Sequence, residues 1–375
     1  MRKLCQLLCV ITGVVFAQRI EVKEAPRLVM PGEVDSNSPA FWRDGRLNLI
    51  NSTGNGPALS RGRNQYRLSE PKLSTINRQR AWPAWIEAVW VDPSGTILGW
   101  YHQEEEYVCG KQRPAMPRIG AVFSYDGGQT FWDQGVILLS ADPVDCSSQN
   151  GYFSGGHGDF SVVLDREQKF FYFLFTNYGG PVETQGVVIA RMAFESRFHP
   201  SNAVWKYHLG SWNQPGVGGR TTPIFRANVS WQREDTDSLW GPSIHWNTYL
   251  ETFVVLMNRS CCHTGFPQEG VYASFNPDLS DPEGWRAPEK ILEGVSWYPQ
   301  VLGIGPEETD STAGKRARLY VYGESRWRLV FHKSGEEIFV DPEIPDADPE
   351  EPTPEPAPAP PEPESPSPDP QQGTP

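Results

Sequence analysis

The sequence predicts an all-β fold, a five-bladed β-propeller, on three observations. Its apolar segments are short, rich in β-branched and aromatic residues, and cut by Gly, Pro, Asn and Asp, with no long helical periodicity. One β-hairpin is written plainly: residues 119–124 and 131–138 flank Asp126-Gly127-Gly128. Asp126 can bond the backbone two residues on, and both glycines can take positive φ at no steric cost. That hairpin is not alone, because about five units of similar layout follow one another along the chain, as a repeat architecture requires.

Each unit begins with a polar or acidic residue at the head of a strand, turns into a second apolar strand, and closes with an outer pair. The first runs through residues 35–42, a turn at 43–45, and 46–51. The second runs through 85–91, a turn at Asp92-Pro93-Ser94-Gly95, and 96–101, and closes with the hairpin above. The third has 158–164 and 169–175, with 186–192 and 203–207 outside them. The fourth has 240–246 and 251–257, then 270–274, a loop through Asp278 and Asp281, and Trp285. The fifth has 297–302, 318–323 and 327–331. Four-stranded units arranged radially make a propeller, typically of about 4–8 blades. A sixth blade requires a further unit hidden in residues 18–34 and 52–80, and a β-sandwich is the other all-β arrangement of such strands.

The ends stand apart from the repeats. A basic Met1-Arg2-Lys3, an apolar run to Phe16 and the small residue Ala17 read as a secretory signal peptide over residues 1–17, leaving 18–340 for the propeller. No later run has the ~18 consecutive apolar residues of a membrane span. Residues 341–375, nearly all Pro, Glu, Asp, Ala and Ser, cannot bury enough apolar surface to order themselves and read as an extended acidic tail. The formal net charge is −13, no basic stripe is present, and nucleic acid is excluded as a partner. The expectation is a secreted or periplasmic monomer. Of the six cysteines, four lie beyond the signal segment. Cys109 and Cys146 flank the hairpin in loops and are the preferred disulfide; adjacent Cys261 and Cys262 can bridge each other, stay reduced or pair elsewhere. No metal-ligand spacing occurs, so no cofactor is expected beyond a structural calcium ion. Three Asn-x-Ser/Thr sequons, at Asn51, Asn228 and Asn258, matter only in a host that glycosylates exported proteins.

Two stretches carry a resemblance. Residues 124–131, Ser-Tyr-Asp-Gly-Gly-Gln-Thr-Phe, resemble the Asp-box of sialidases and other propellers, a structural turn on a blade rim. Residues 273–279 with Trp285 resemble the outer hairpin of five-bladed glycosidases, the arabinanase, xylosidase and invertase-like group. With five units over about residues 33–335, the chain resembles that group more than the six-bladed sialidases. The resemblance implies an axial pocket holding three carboxylates. A first-blade Asp, here Asp35, is base or nucleophile; a third-blade Asp, here Asp159, orients and tunes. The fourth-blade general acid is a Glu before Gly-Pro, and here that position is Trp240.

The residues themselves support a converging site. Asp35, Glu87 and Asp159 lie on first strands, and His102, Glu104, Asn177 and Glu324 at the ends of second strands. Carboxylates gathered in a partly dry pocket raise one another's pKa, so one can stay protonated while another is ionised. Glycoside hydrolysis needs that division of labour. Glu87 sits inside an apolar run, where a carboxylate requires a partner or a pocket, and is the expected substitute for the missing acid. His157 beside Asp159, Asn177 with Tyr178, and His102 and His263 are candidate substrate contacts. Glu104-Glu105-Glu106 also reads as a solvated charge run. Trp82, Trp85, Trp240 and Trp297 can stack on sugar rings, while the same residues also serve as packing between blades. A glycan or oligosaccharide is the expected partner, whether it is hydrolysed or only bound.

Overall fold

The computed structural model describes residues 18–77 and 83–336 as five sheets in succession around an axis, a five-bladed β-propeller. The signal segment, Trp82 and the acidic tail lie outside the described residues. Blade I consists of Ala40–Arg43, Arg46–Thr53, Gly56–Gly62 and Lys72–Leu73. Blade II consists of Ala84–Val91, Ile97–Glu105, Met116–Ser124 and Thr130–Leu138, with Thr75–Asn77 parallel on its outer edge. Blade III runs from His157–Leu164 through Phe170–Asn177, Gly186–Ala193 and Val204–His208 to Ser211–Pro215. Blade IV runs from Ser238–Asn247 through Thr252–Ser260 and Gln268–Asn276 to Glu289–Glu293.

Blade V shows how the ring closes. Its inner strands are Pro299–Gly303, Arg316–Val321 and Glu324–His332, and its outermost strand is Arg19–Val29, antiparallel to Glu324–His332 from Arg19 opposite His332 onward. The two ends of the described chain therefore complete one sheet. This settles the count of blades. Residues 18–34 supply the last strand of blade V, and residues 52–77 finish blade I and edge blade II, so no sixth unit exists among these described residues. Trp285, expected to close the outer hairpin of the fourth unit, lies in the loop before Glu289–Glu293 and packs edge-on to Phe225.

The apolar runs are continuous because each blade is buried on both faces. In Phe170–Asn177, side chains alternate across the sheet. Phe171, Phe173 and Phe175 pack with Phe160 of their own blade against Trp100 and Phe123 of blade II, while Tyr172 and Leu174 face blade IV with Ile244, Val255 and Met257. Similar clusters join blades IV to V, I to II and, through Leu47, Leu49, Leu302 and Tyr320, V to I. Each fully buried Phe contributes roughly 1.5–3 kcal/mol. The inner strands are also laced across the axis. Asn37 Nδ2 donates to Phe160 O (3.0 Å) and Pro242 O (3.2 Å), and Gln300 bonds Ser38 N (2.6 Å) and Ser38 O (2.8 Å).

The hairpin at 124–132 forms as its sequence requires. Asp126 Oδ1 accepts from Gln129 N (3.0 Å), Thr130 N (2.9 Å) and Ser124 Oγ (2.9 Å), and Gly127 and Gly128 both have positive φ (78° and 90°). Cys109 and Cys146 are disulfide-bonded, and Cys261 and Cys262 are bonded to each other. Asn51 and Asn258 are buried with their amides on Pro31 O and Ser296 O, which makes them unsuited to carry glycans. Among the described residues no helix is long and apolar enough to cross a membrane.

Candidate active site

The innermost strands of blades II, III and IV share a device at one end: a register shift. It falls between Ile86 and Ala88, between Gly158 and Phe160, and between Trp240 and Ser243. A bulge breaks the in-out alternation and re-aims the extra residue. In blade II that residue is Glu87 and in blade III Asp159. Asp159 holds φ at 41°, a left-handed conformation that Asp tolerates better than most residues and that is found at functional sites.

At this end of the axis lies a cavity of about 160 Å³. Asp35, Glu104 and Asp159 are its carboxylates, and His102 and Arg113 its basic groups. Nine aromatic side chains complete the wall: Trp85, Tyr152, Phe153, Tyr178, Trp231, Trp240, Phe266, Trp297 and Tyr298. They brace one another, with Trp231 stacked on Phe266 (5.8 Å between centroids) and Trp240 edge-on to Trp297 (5.9 Å).

The polar groups form one connected cluster. Glu87 Oε1 lies 3.1 Å from His102 Nδ1, and Glu87 Oε2 accepts from Phe160 N (2.8 Å). With the His102 proton carried on Nδ1, both Glu87 oxygens act as acceptors, and His102 Nε2 lies toward the cavity side, 3.9 Å from Glu104 Oε1. Glu104 in turn pairs with Arg113. Asp159 accepts from the Tyr178 hydroxyl, and Asp35 Oδ2 accepts from Trp85 Nε1 at 3.2 Å.

Burial governs the protonation of these groups. It raises Asp159 to about 7, against the pull of the neighbouring His102 charge. Burial works against charge on His102, but the Glu87 hydrogen bond and the charges of Asp159, Glu87 and Glu104 outweigh it and lift His102 to about 9. Asp35 is raised by burial and by Glu104, while the Trp85 hydrogen bond opposes the shift.

Of the residues expected from sequence, Asp35, Asp159, His102, Glu104 and Trp240 all line the cavity, as do Trp85 and Trp297. Glu87 does not. It is 2 % exposed and lies behind His102 with both oxygens engaged, so it faces His102 rather than a substrate. His157 is equally sealed, its Nε2 2.9 Å from the buried Lys206 Nζ. Asn177 is wholly buried, and its amide donates to Thr184 O (2.7 Å) and Gly179 O (3.2 Å), holding the turn that follows Tyr178. His263 is exposed on the loop after the Cys261–Cys262 bridge and lies outside the cavity wall. Glu324 belongs to blade V, where it is paired with Arg27 (2.6 Å) and Arg326. Trp231, Phe266, Tyr152 and Arg113 went unpredicted, because they stand on loops where no periodicity marks direction.

Glu87, His102 and Asp159 offer donor atoms within 4.8 Å of one another. The trio does not suit calcium, which asks for about six to eight oxygens; it supplies two carboxylates already spent on His102, Phe160 and Tyr178.

Two loops of the cavity wall are tied by one covalent bond. Cys109 is on the loop carrying Arg113, and Cys146 on the loop carrying Asn150, Tyr152 and Phe153. Their sequence separation is 37. Replacing both by Ser is expected to cost about 2–4 kcal/mol in chemical denaturation, with the larger loss on ligand binding at the cavity. An unchanged midpoint would show that the loops hold without the bond.

No protein-family model matches the sequence, and no curated protein matches it. Solved structures do resemble it. An exo-β-1,3-galactanase from Clostridium thermocellum is 12 % identical with a TM-score of 0.46, over 83 % of this chain and 62 % of that one. The present chain thus spans less than two thirds of the galactanase. An α-L-arabinofuranosidase from Lactobacillus brevis is 12 % identical with a TM-score of 0.47, over 81 % and 91 %. A thermostable family-43 glycoside hydrolase is 10 % identical with a TM-score of 0.47, over 83 % and 96 %. The likeness is one of fold. What the cavity does rests on its own residues.

Proposed function

We propose that this chain is an exported glycoside hydrolase that takes one terminal sugar ring of a glycan into its axial cavity. The observation that carries the reading is two carboxylates, Asp35 and Asp159, facing one small cavity walled by nine aromatic side chains. A cavity of about 160 Å³ is the size of one six-membered ring, since a hole of about 150 Å³ holds benzene. Aromatic faces suit the apolar face of a sugar, and the carboxylates suit its reacting bond.

The environments of the two carboxylates divide the roles. Asp159, buried and raised to about 7, is the general acid that protonates the leaving oxygen. Asp35, half-buried and stabilised as an anion by Trp85 Nε1, is the base or nucleophile. His102, clamped by Glu87, and Glu104 with Arg113 supply further polar contacts to the ring. Glu87 thereby acts through His102 and not on the substrate. The signal-like segment at 1–17 and the Cys109–Cys146 bridge support export into an oxidising compartment, periplasmic or extracellular.

A non-catalytic glycan receptor is the second reading, favoured by Trp240 at the blade-IV position where the resemblance expects an acid. A panel of aryl glycosides and polysaccharides separates the two. Hydrolysis lost in Asp35→Asn supports the enzyme. Binding without turnover on any member supports the receptor.

A further inference from the structure

The hydrogen-bonding capacity left in the cavity is one-sided. Asn150 spends its amide on Phe153 O (2.9 Å) and Trp231 O (2.5 Å), and its carbonyl oxygen on Tyr152 N and Phe153 N (both 2.7 Å). Gln268 spends Oε1 on Trp240 Nε1 (2.9 Å) and its amide on Phe266 O (2.8 Å). The neutral amides that usually read sugar hydroxyls are therefore occupied by the wall itself. His102 Nε2, Trp231 Nε1 and Ser260 Oγ remain, all buried and without a hydrogen-bond partner among the described residues. Beyond them the free capacity is carboxylate oxygen, on Asp35 and Asp159.

The charges are one-sided too. Arg113 is matched by Glu104, and His102 by Glu87. Asp35 and Asp159 are the carboxylates in excess: they share the His102 charge with Glu87 and Glu104, and beyond His102 and Arg113 no cation among the described residues lines the cavity. They stand amid electron-rich rings: Trp85 bonds Asp35, Tyr178 bonds Asp159, and the Tyr298 hydroxyl lies in the field of both acids. Carboxylates in excess of the resident cations and set among aromatic faces form the environment in which proteins hold ammonium groups.

Resting on the reading that one sugar ring enters this cavity, we infer that the ring carries a free ammonium group. The ligand is an amino sugar whose nitrogen is not acylated, its ammonium facing Asp35 and Asp159 and its hydroxyls taken by His102 and Ser260. An N-acetyl group would remove the charge and add bulk to a cavity sized for one ring.

The test is titration of the whole protein, followed by tryptophan fluorescence and calorimetry. The probes are glucosamine and galactosamine, the parent sugars, and their N-acetyl forms. At pH 7 and low salt, one of the amines binds at least about tenfold more tightly than its hydroxyl and N-acetyl counterparts, the factor of one ionic hydrogen bond. High salt narrows that gap, and in Asp35→Asn the ratio of amine to parent-sugar affinity falls toward one, whatever the variant's affinity for the parent sugar. Equal or tighter binding of the neutral sugars, no binding of either amine, or a preference untouched in both Asp35→Asn and Asp159→Asn overturns the inference. Its failure is separable from that of the hydrolase reading. Turnover of neutral aryl glycosides without amine preference removes only the inference. Amine preference without cleavage of any glycoside, amino-glycosides included, removes only hydrolysis.

Discussion

Asp159→Asn is expected to lose about 10²–10⁴-fold in glycoside turnover while melting at least about 2 °C higher than the wild type at pH 7. The two effects have one cause. Asp159 is buried, and its folded-state pKa of about 7 stands above the ordinary 3.8. A group raised in the folded state contributes its proton-linked stability fully below the unfolded pKa and loses it as pH rises through the folded one. From about pH 4 to pH 7 the wild type therefore loses stability at this residue, and Asn does not. The gain of the variant over the wild type is absent near pH 4, grows to pH 7 and then levels. Asn keeps an oxygen for the Tyr178 hydroxyl and tolerates the positive φ, so the turn survives. A variant that is inactive and less stable at pH 7 would mean that Asp159 serves the fold rather than the reaction.

Glu87→Gln is the second large effect. It removes the charge partner of His102 inside a sealed site, where breaking one side of a buried pair costs about 3–5 kcal/mol. His102 then keeps the penalty of burial but loses the strongest force raising it, and its titration falls from about 9 toward or below 6.5. The stabilising part of this pair is fully present below pH 6.5 and vanishes as pH rises through about 9. The stability gap between wild type and variant is thus widest on the acid side and closes in alkali. Nuclear magnetic resonance of the His102 ring reads the titration, and unfolding at several pH values reads the gap. If the activity profile moves with the His102 titration, Glu87 positions and tunes that imidazole. If stability drops at every pH alike, it is only a packing residue.

The fold was legible because blades repeat. Asp126-Gly127-Gly128 marks its own turn, and the unbroken Phe-Tyr-Phe-Leu-Phe of residues 171–175 marks a strand buried on both faces. What escaped was the closure by Arg19–Val29, since a strand cannot announce a partner some three hundred residues away. Asp35 and Asp159 were legible as cavity-lining residues because the inner ends of the blades converge on the axis, although Asp35, expected on a first strand, stands in the loop before Ala40–Arg43. Glu87 was found but aimed wrongly: simple alternation points it at the cavity, and the bulge between Ile86 and Ala88 turns it toward His102. Trp231 and Phe266 had no signal at all, for loop residues take their direction from the surrounding tertiary contacts.

The most direct test of the converging axial site is a crystal structure of the Asp159→Asn protein soaked with the sugar that binds most tightly. The account predicts a single ring in the axial cavity, within hydrogen-bond reach of Asp35 and His102 Nε2 and lying on a tryptophan face. A sugar bound elsewhere, on the outer strands or across the blade rims with the axial cavity empty, would contradict it.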